Sequence, residues 1–125
     1  MIPIIKILVI LTIHWIADFL CQNRWMAMNK SKAWIPLIAH TGTYTAVTIA
    51  GWMLTGITWG VPYVKVAQMV IITFTTHTII DYFTSRVQAS YWRQEKYMQF
   101  FTSIGFDQLL HYIQLFVMYY FLVAR

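Results

Sequence analysis

Apolar residues fall in four blocks along this chain, at about 2–22, 33–55, 62–83 and 100–124, and within each block polar side chains recur every three or four positions. Each block approaches the ~20 residues with which a helix crosses a hydrocarbon core. Residues four apart stand one above the other on a helix, so each block carries one polar stripe. The stripes are His14, Asp18 and Gln22; His40, Tyr44 and Thr48; Thr73, His77 and Asp81; and Asp107, His111 and Gln114. The pattern predicts an all-α, polytopic membrane protein. Residues 1–125 would form a single four-transmembrane-helix bundle with the His/Asp stripes facing its interior, and basic loops at 23–32 and 84–99.

Composition agrees with that solvent. With 59% hydrophobic and 10% charged residues, a soluble globule of this size could not cover itself with polar surface. The first block has Lys6 ahead of ILVILTI, as a secretory signal would, but no small-residue cleavage site follows and His14 and Asp18 interrupt the apolar run. Helix 1 is therefore expected to remain. The single Cys21 allows no internal disulfide and reads as apolar filler near a helix end.

Charge gives an orientation. Segment 23–32 carries Arg24, Lys30 and Lys32, and segment 84–99 carries Arg86, Arg93 and Lys96 against Glu95, whereas the opposite side has Lys6, Lys65 and Arg125. The positive-inside rule puts both basic loops in the cytoplasm, with the termini and the TGITWG turn outside. Trp25, Trp34, Tyr91, Trp92 and Tyr97 would line the cytoplasmic interface, and Trp52 and Trp59 the outer one. The net charge of +5 suits membrane lipids with anionic headgroups; nothing in it requires nucleic acid. An oligomer remains open.

All four histidines and three of the four acidic residues belong to the stripes. Counted from the cytoplasmic ends at ~1.5 Å per residue, His14, His40, His77 and Asp107 reach nearly one level. Asp18 and Asp81 lie closer to the cytoplasmic surface, and His111 lies deeper. Imidazole and carboxylate are the usual ligands of zinc, iron and manganese, and four helices turning such groups inward can hold two metals. His14, Asp18, His40, His77, Asp81, Asp107 and His111 are thus candidate ligands for one or two divalent transition-metal ions. Such an ion would offset the cost of burying aspartate. Tyr44, Gln22, Gln108 and Gln114 are candidate supporting donors. Two metal-free readings stand beside this one: a proton or ion pathway, and polar helix packing, whose contacts are worth only ~1 kcal/mol in bilayers.

A metal at that depth could acidify a bound water and polarise a phosphoryl or acyl oxygen. The expected activity is a metal-dependent hydrolase acting on an anionic lipid or phosphorylated substrate at the cytoplasmic leaflet. Asp81 and Asp18 are the candidate general bases. Arg24, Lys30, Lys32 and Arg86 are candidates for holding the anionic group, Arg86 about one turn beyond Asp81. A metal-ion or proton transporter is the first alternative. It would need polar stripes reaching the outer face, where helix 1 is Ile and Leu and helix 2 offers only Gly51 and Thr55 beyond Thr48. A non-enzymatic phage membrane effector is the second.

The ordered pattern H-x-x-x-D-F-x-x-Q at 14–22, N-K-S-K at 29–32, His40, H-x-x-x-D at 77–81 with Arg86 following, and D-Q-x-x-H at 107–111 resembles a family of small bacterial and phage membrane proteins of unknown function. The likeness spans essentially the whole chain and implies a multi-pass protein of the bacterial inner membrane, with no reaction attached. More loosely, the chain is similar to predicted inner-membrane metal-dependent hydrolases, whose His and Asp residues also sit within helices but at different spacings.

Overall fold

The computed structural model describes residues 2–125, and these form helices with no strand. Helix α1 (Ile4–Trp15) starts behind Pro3 and runs into a π-helical turn, Ile16–Leu20. A short helix α2 (Arg24–Asn29) follows, capped by Asn23, whose side chain accepts from the Met26 amide at 2.8 Å. Helix α3 (Trp34–Leu54) has Pro36 in its first turn, where no intrahelical amide donor is lost. Helices α4 (Tyr63–Arg93) and α5 (Tyr97–Met118) complete the set, α5 passing into a second π-helical turn, Tyr119–Val123.

Two sharp turns reverse the chain. After α3, Gly56 takes φ +82 and the Ile57 amide bonds back to the Trp52 carbonyl at 2.9 Å. After α4, Glu95 takes φ 56 and the Lys96 amide bonds to the Tyr91 carbonyl at 3.0 Å. Both are left-handed helix endings of the Schellman kind, but the second lacks the usual glycine.

The two basic segments, expected from sequence to be loops, are instead largely helical. Helix α2 occupies most of 23–32, and α4 continues through FTSRVQASYWR to Arg93. That stretch has neither Gly nor Pro, so its polarity marks the end of the apolar run and not of the helix. At ~1.5 Å per residue, the 31 residues of α4 extend about 46 Å. By length and composition α4 alone, among the described residues, could cross a membrane. Helix α1 has 12 residues, and polar stripes dilute the hydropathy of α3 and α5.

Each long helix buries one stripe. On α4 these residues are Met69, Thr73, His77, Asp81 and Ser85, spaced by four throughout. Helix α1 packs on α3, α3 on α4, and α4 on α5, while Gln108 of α5 reaches back to His14 and Asp18. The core has two layers. One is apolar: Ile10, Ile13, Ile49, Trp52, Ile57, Met69, Leu115, Met118 and Tyr119. Trp52 is fully buried there, which corrects the expectation of an interfacial position. Gly51 lets α1 approach, since a Cβ on it would come within 2.8 Å of Ile13 Cγ2. The second layer holds the histidines and aspartates.

Candidate metal centre

Asp18 sits on the π-helical turn after α1, where the Cys21 amide bonds to the Ile16 carbonyl five residues back at 2.9 Å. Such wide turns recur at functional sites, and this one presents Asp18 to α3 and α4. His40 comes from α3, His77 and Asp81 from α4, Asp107 and His111 from α5. All six are buried.

The polar atoms converge. His40 Nε2 lies 3.1 Å from Asp18 Oδ1 and 3.1 Å from Asp81 Oδ2. His77 Nε2 lies 3.5 Å from Asp18 Oδ1, 3.5 Å from Asp81 Oδ1, and 3.2 Å from His40 Nε2. His111 Nε2 is 3.1 Å from Asp81 Oδ1 and 3.5 Å from Asp107 Oδ1. Asp18, His40, His77 and Asp81 each offer one ligand atom within 4.8 Å of all the others, and Asp18, Asp107 and His111 do the same. Ring packing sets these directions. His77 stacks on Tyr44 at 3.8 Å between centroids and on His111 at 4.2 Å. The Nδ1 atoms of His40, His77 and His111 are buried without a partner, so each ring makes its polar contacts through Nε2 alone.

Charge balance makes the same point. Three buried carboxylates face one ammonium, that of Lys30, which donates to Asp81 Oδ2 at 2.9 Å. Unpaired buried carboxylates are expensive, and the missing positive charge must come from imidazolium protons or a cation. At 3.2 Å, the Nε2 atoms of His40 and His77 cannot both carry protons aimed at each other; each either turns a proton to a carboxylate or presents a lone pair to the same point. Neutral imidazoles and carboxylates facing one buried point would be a donor set that fits zinc, iron or manganese.

The seventh expected ligand has another role. His14 belongs to neither metal-capable group. Its Nδ1 faces the Tyr44 hydroxyl at 2.8 Å and its Nε2 faces Gln108 Oε1 at 2.7 Å. Because Oε1 can only accept, Nε2 carries the proton and Nδ1 accepts from Tyr44. Gln108 Nε2 then donates to Asp18 Oδ2 at 3.0 Å and to Asp107 Oδ2 at 3.1 Å. His14 thus orients the amide that orients two carboxylates. Thr84 adds a donor to Asp107 Oδ1 at 2.5 Å. Sequence reasoning missed Thr84 because the helix was expected to end at 83, although Thr84 lies seven residues from His77 and so shares its face.

The four basic candidates separate. Only Lys30 reaches the cluster. Burial opposes its charge, but Asp81 and then Asp18 outweigh that, and its pKa stands above the ordinary lysine value. Arg86 donates to the Tyr82 carbonyl at 2.6 Å, with its guanidinium carbon 3.6 Å from the centre of the Tyr82 ring. The cation beside Asp81 is therefore Lys30, which corrects the expected position of Arg86. Arg24 and Lys32 are exposed.

Fold and site together define a helical bundle protein with a buried His/Asp cluster able to hold a metal ion. The chain belongs to the family described as proteins of unknown function (DUF3307), whose pattern matches residues 6–125. No curated protein and no solved structure matches it.

Proposed function

We propose that this chain is an integral membrane protein that holds a divalent transition metal among Asp18, His40, His77 and Asp81 and hydrolyses an anionic lipid or phosphorylated substrate at the cytoplasmic leaflet. The observation that carries this reading is the convergence of two imidazole nitrogens and two carboxylates, from three separate segments, within 4.8 Å of one another in a buried layer.

The membrane part rests on what the helices leave exposed. Ile5 (71%), Leu54 (84%), Ile71 (65%) and Phe101 (65%) stand for large apolar side chains bared along α1, α3, α4 and α5. A water-soluble monomer rarely exposes contiguous apolar surface of that kind, whereas lipid solvates it at no cost. Trp25, Trp34, Trp92 and Tyr97 are exposed at the end that carries the basic residues, which supports a cytoplasmic orientation of that end.

A divalent ion in this cluster would supply Lewis acidity toward a phosphoryl oxygen and a more acidic bound water. The chain's own residues would do the rest. Asp18 and Asp81 would hold the ion, a ligand role proposed beside that of general base, and Lys30 instead of Arg86 stands next to Asp81. Lys30, largely buried at the rim and bonded to Asp81, is the cation nearest to a phosphoryl oxygen at the cluster, with Arg24 and Lys32 exposed to meet the headgroup. The apolar layer of Ile10, Ile13, Ile49, Trp52, Met69 and Leu115 beyond the cluster disfavours the transporter alternative, since a path through the bundle would have to cross it.

Elemental analysis of protein purified without chelator should find stoichiometric metal, with most of it lost in His77→Ala. Native protein that carries none and takes up none removes the proposal. Phosphate release from vesicles containing phosphatidic acid tests the hydrolytic part: metal without turnover on phosphorylated lipids would leave a metal-binding protein and refute the hydrolase.

A further inference from the structure

Building on the metal reading above, we infer that the centre is dinuclear: a second divalent ion lies among Asp18, Asp107 and His111, and the Asp18 carboxylate bridges the two ions. The two groups of convergent ligands share only Asp18, and its oxygens divide between them. Oδ1 faces His40 and His77 at 3.1 and 3.5 Å, while Oδ2 meets the Gln108 amide at 3.0 Å. That same amide bonds Asp107 Oδ2 at 3.1 Å, so the Oδ2 atoms of Asp18 and Asp107 are drawn together at Gln108 of α5. Asp81 reaches both groups as well, with Oδ2 at 3.1 Å from His40, and Oδ1 at 3.1 Å from His111 and 3.5 Å from His77. Carboxylates that turn one oxygen each way are what a metal pair ~3.5–4 Å apart requires.

Ligand number points the same way. A zinc-like ion commonly takes four ligands, and Asp18, His40, His77 and Asp81 already supply four, leaving Asp107 and His111 unused. These two with Asp18 make three protein ligands and an open position, the arrangement of a catalytic ion. Its supporting bonds exist as well, since Thr84 and Gln108 donate to Asp107. Two divalent ions against three carboxylates leave the pocket net positive even before Lys30 is counted. A phosphoryl anion would complete that balance, which deepens the substrate class proposed for this site.

The test is manganese loading of the full chain in detergent, read by elemental analysis and electron paramagnetic resonance. The expected result is two ions per chain with the spectrum of an exchange-coupled pair, and one isolated ion in Asp107→Asn. One ion in the native protein overturns the dinuclear inference and leaves the metal reading intact, whereas none overturns both. Two uncoupled ions refute the Asp18 bridge, and two ions retained in Asp107→Asn refute the second site. Should Asp107→Asn fail to fold, stoichiometry and coupling in the native protein decide the matter alone.

Discussion

Replacing Lys30 with methionine should tighten metal binding while weakening catalysis. The Lys30 ammonium donates to Asp81 Oδ2 at 2.9 Å, with side-chain exposures of 16% and 2%. A hydrogen bond between charged groups is worth ~1.5–3 kcal/mol, and breaking a buried pair costs ~3–5 kcal/mol when nothing else meets the remaining charge. Asp81 keeps His40 and His111 at 3.1 Å, so ~2 kcal/mol is the better figure for the metal-free protein. A metal on Asp81 competes for the oxygen that Lys30 holds. The metal-bound protein therefore loses little on substitution, and closing the cycle assigns the difference to affinity. At 1.4 kcal/mol per tenfold, ~2 kcal/mol is about a 30-fold fall in Kd. Competition with a chromophoric chelator in detergent measures it. If the site is hydrolytic as proposed, turnover should move the other way, because the cation assigned to the phosphoryl group would be gone. Unchanged or weaker metal binding in Lys30→Met would show that lysine and metal do not share Asp81, and the reasoning would fail.

Four further outcomes are expected. His14→Ala should keep stoichiometric metal but lower affinity ~10–100-fold, as loss of an outer hydrogen-bond partner does; equilibrium dialysis showing metal loss as complete as in His77→Ala would make His14 a ligand. Gly51→Val places a Cβ 2.8 Å from Ile13 Cγ2 and should destabilise by ~1–3 kcal/mol through overpacking, seen as a lower Tm; an unchanged Tm would contradict the close α1–α3 contact. Glu95→Gly should stabilise by ~0.5–1 kcal/mol, because a left-handed φ of 56 costs a side chain that much and glycine little, and a fall in Tm would count against this turn. In a Cys21-free background, cysteines at the exposed positions 32 and 93 should resist impermeant reagent added outside intact cells; labelling there would reverse the orientation.

The stripes were legible because they follow one simple geometry. His40, Tyr44 and Thr48 share a face of α3, and Thr73, His77 and Asp81 a face of α4, and all six are buried, as spacing by four implies. Spacing could also show that Asp107 and His111 stand together. It could not show what a side chain does after reaching the core. His14 and His77 carry the same H-x-x-x-D signature, yet one meets Tyr44 and Gln108 while the other faces two carboxylates. That difference depends on which ring nitrogen faces which neighbour across helices, and local sequence carries no record of it. The π-helical turn at Ile16–Leu20 was likewise invisible, since IADFL has no residue that forces a wide turn. Lys30 was legible as a basic residue but not as an inward one. A loop was expected there, and the Asn23-capped α2 instead aims that part of the chain at the cluster. Helix ends were misjudged where polarity changed without a Gly or Pro, as at 84–93.

The layered core explains how so few charges can be buried together without undoing the fold. Folding of the apolar layer, from Ile10 to Tyr119 in the chain, holds α1, α3, α4 and α5 together by contacts that do not depend on the cluster. The polar layer can then carry charges that a metal or Lys30 must balance, and it lies at the end that α2 covers. This asymmetry also restricts the chemistry. With apolar packing on one side of the cluster and Lys30 bonded to Asp81 on the other, the proposed exchange of metal, water and substrate is expected past Lys30 and α2. Lys30 is the C-cap residue of that short helix, so if α2 covers the site, rigidifying it should slow metal exchange without altering the ligands. The substitution Asn29→Ala, which removes the Asn29 Nδ2 bond to the Trp25 carbonyl at 2.9 Å, acts in the opposite sense. If α2 is the cover, that substitution should speed metal release to excess chelator several-fold with equilibrium stoichiometry unchanged. An unaltered release rate would mean that the cluster opens elsewhere, between α4 and α5.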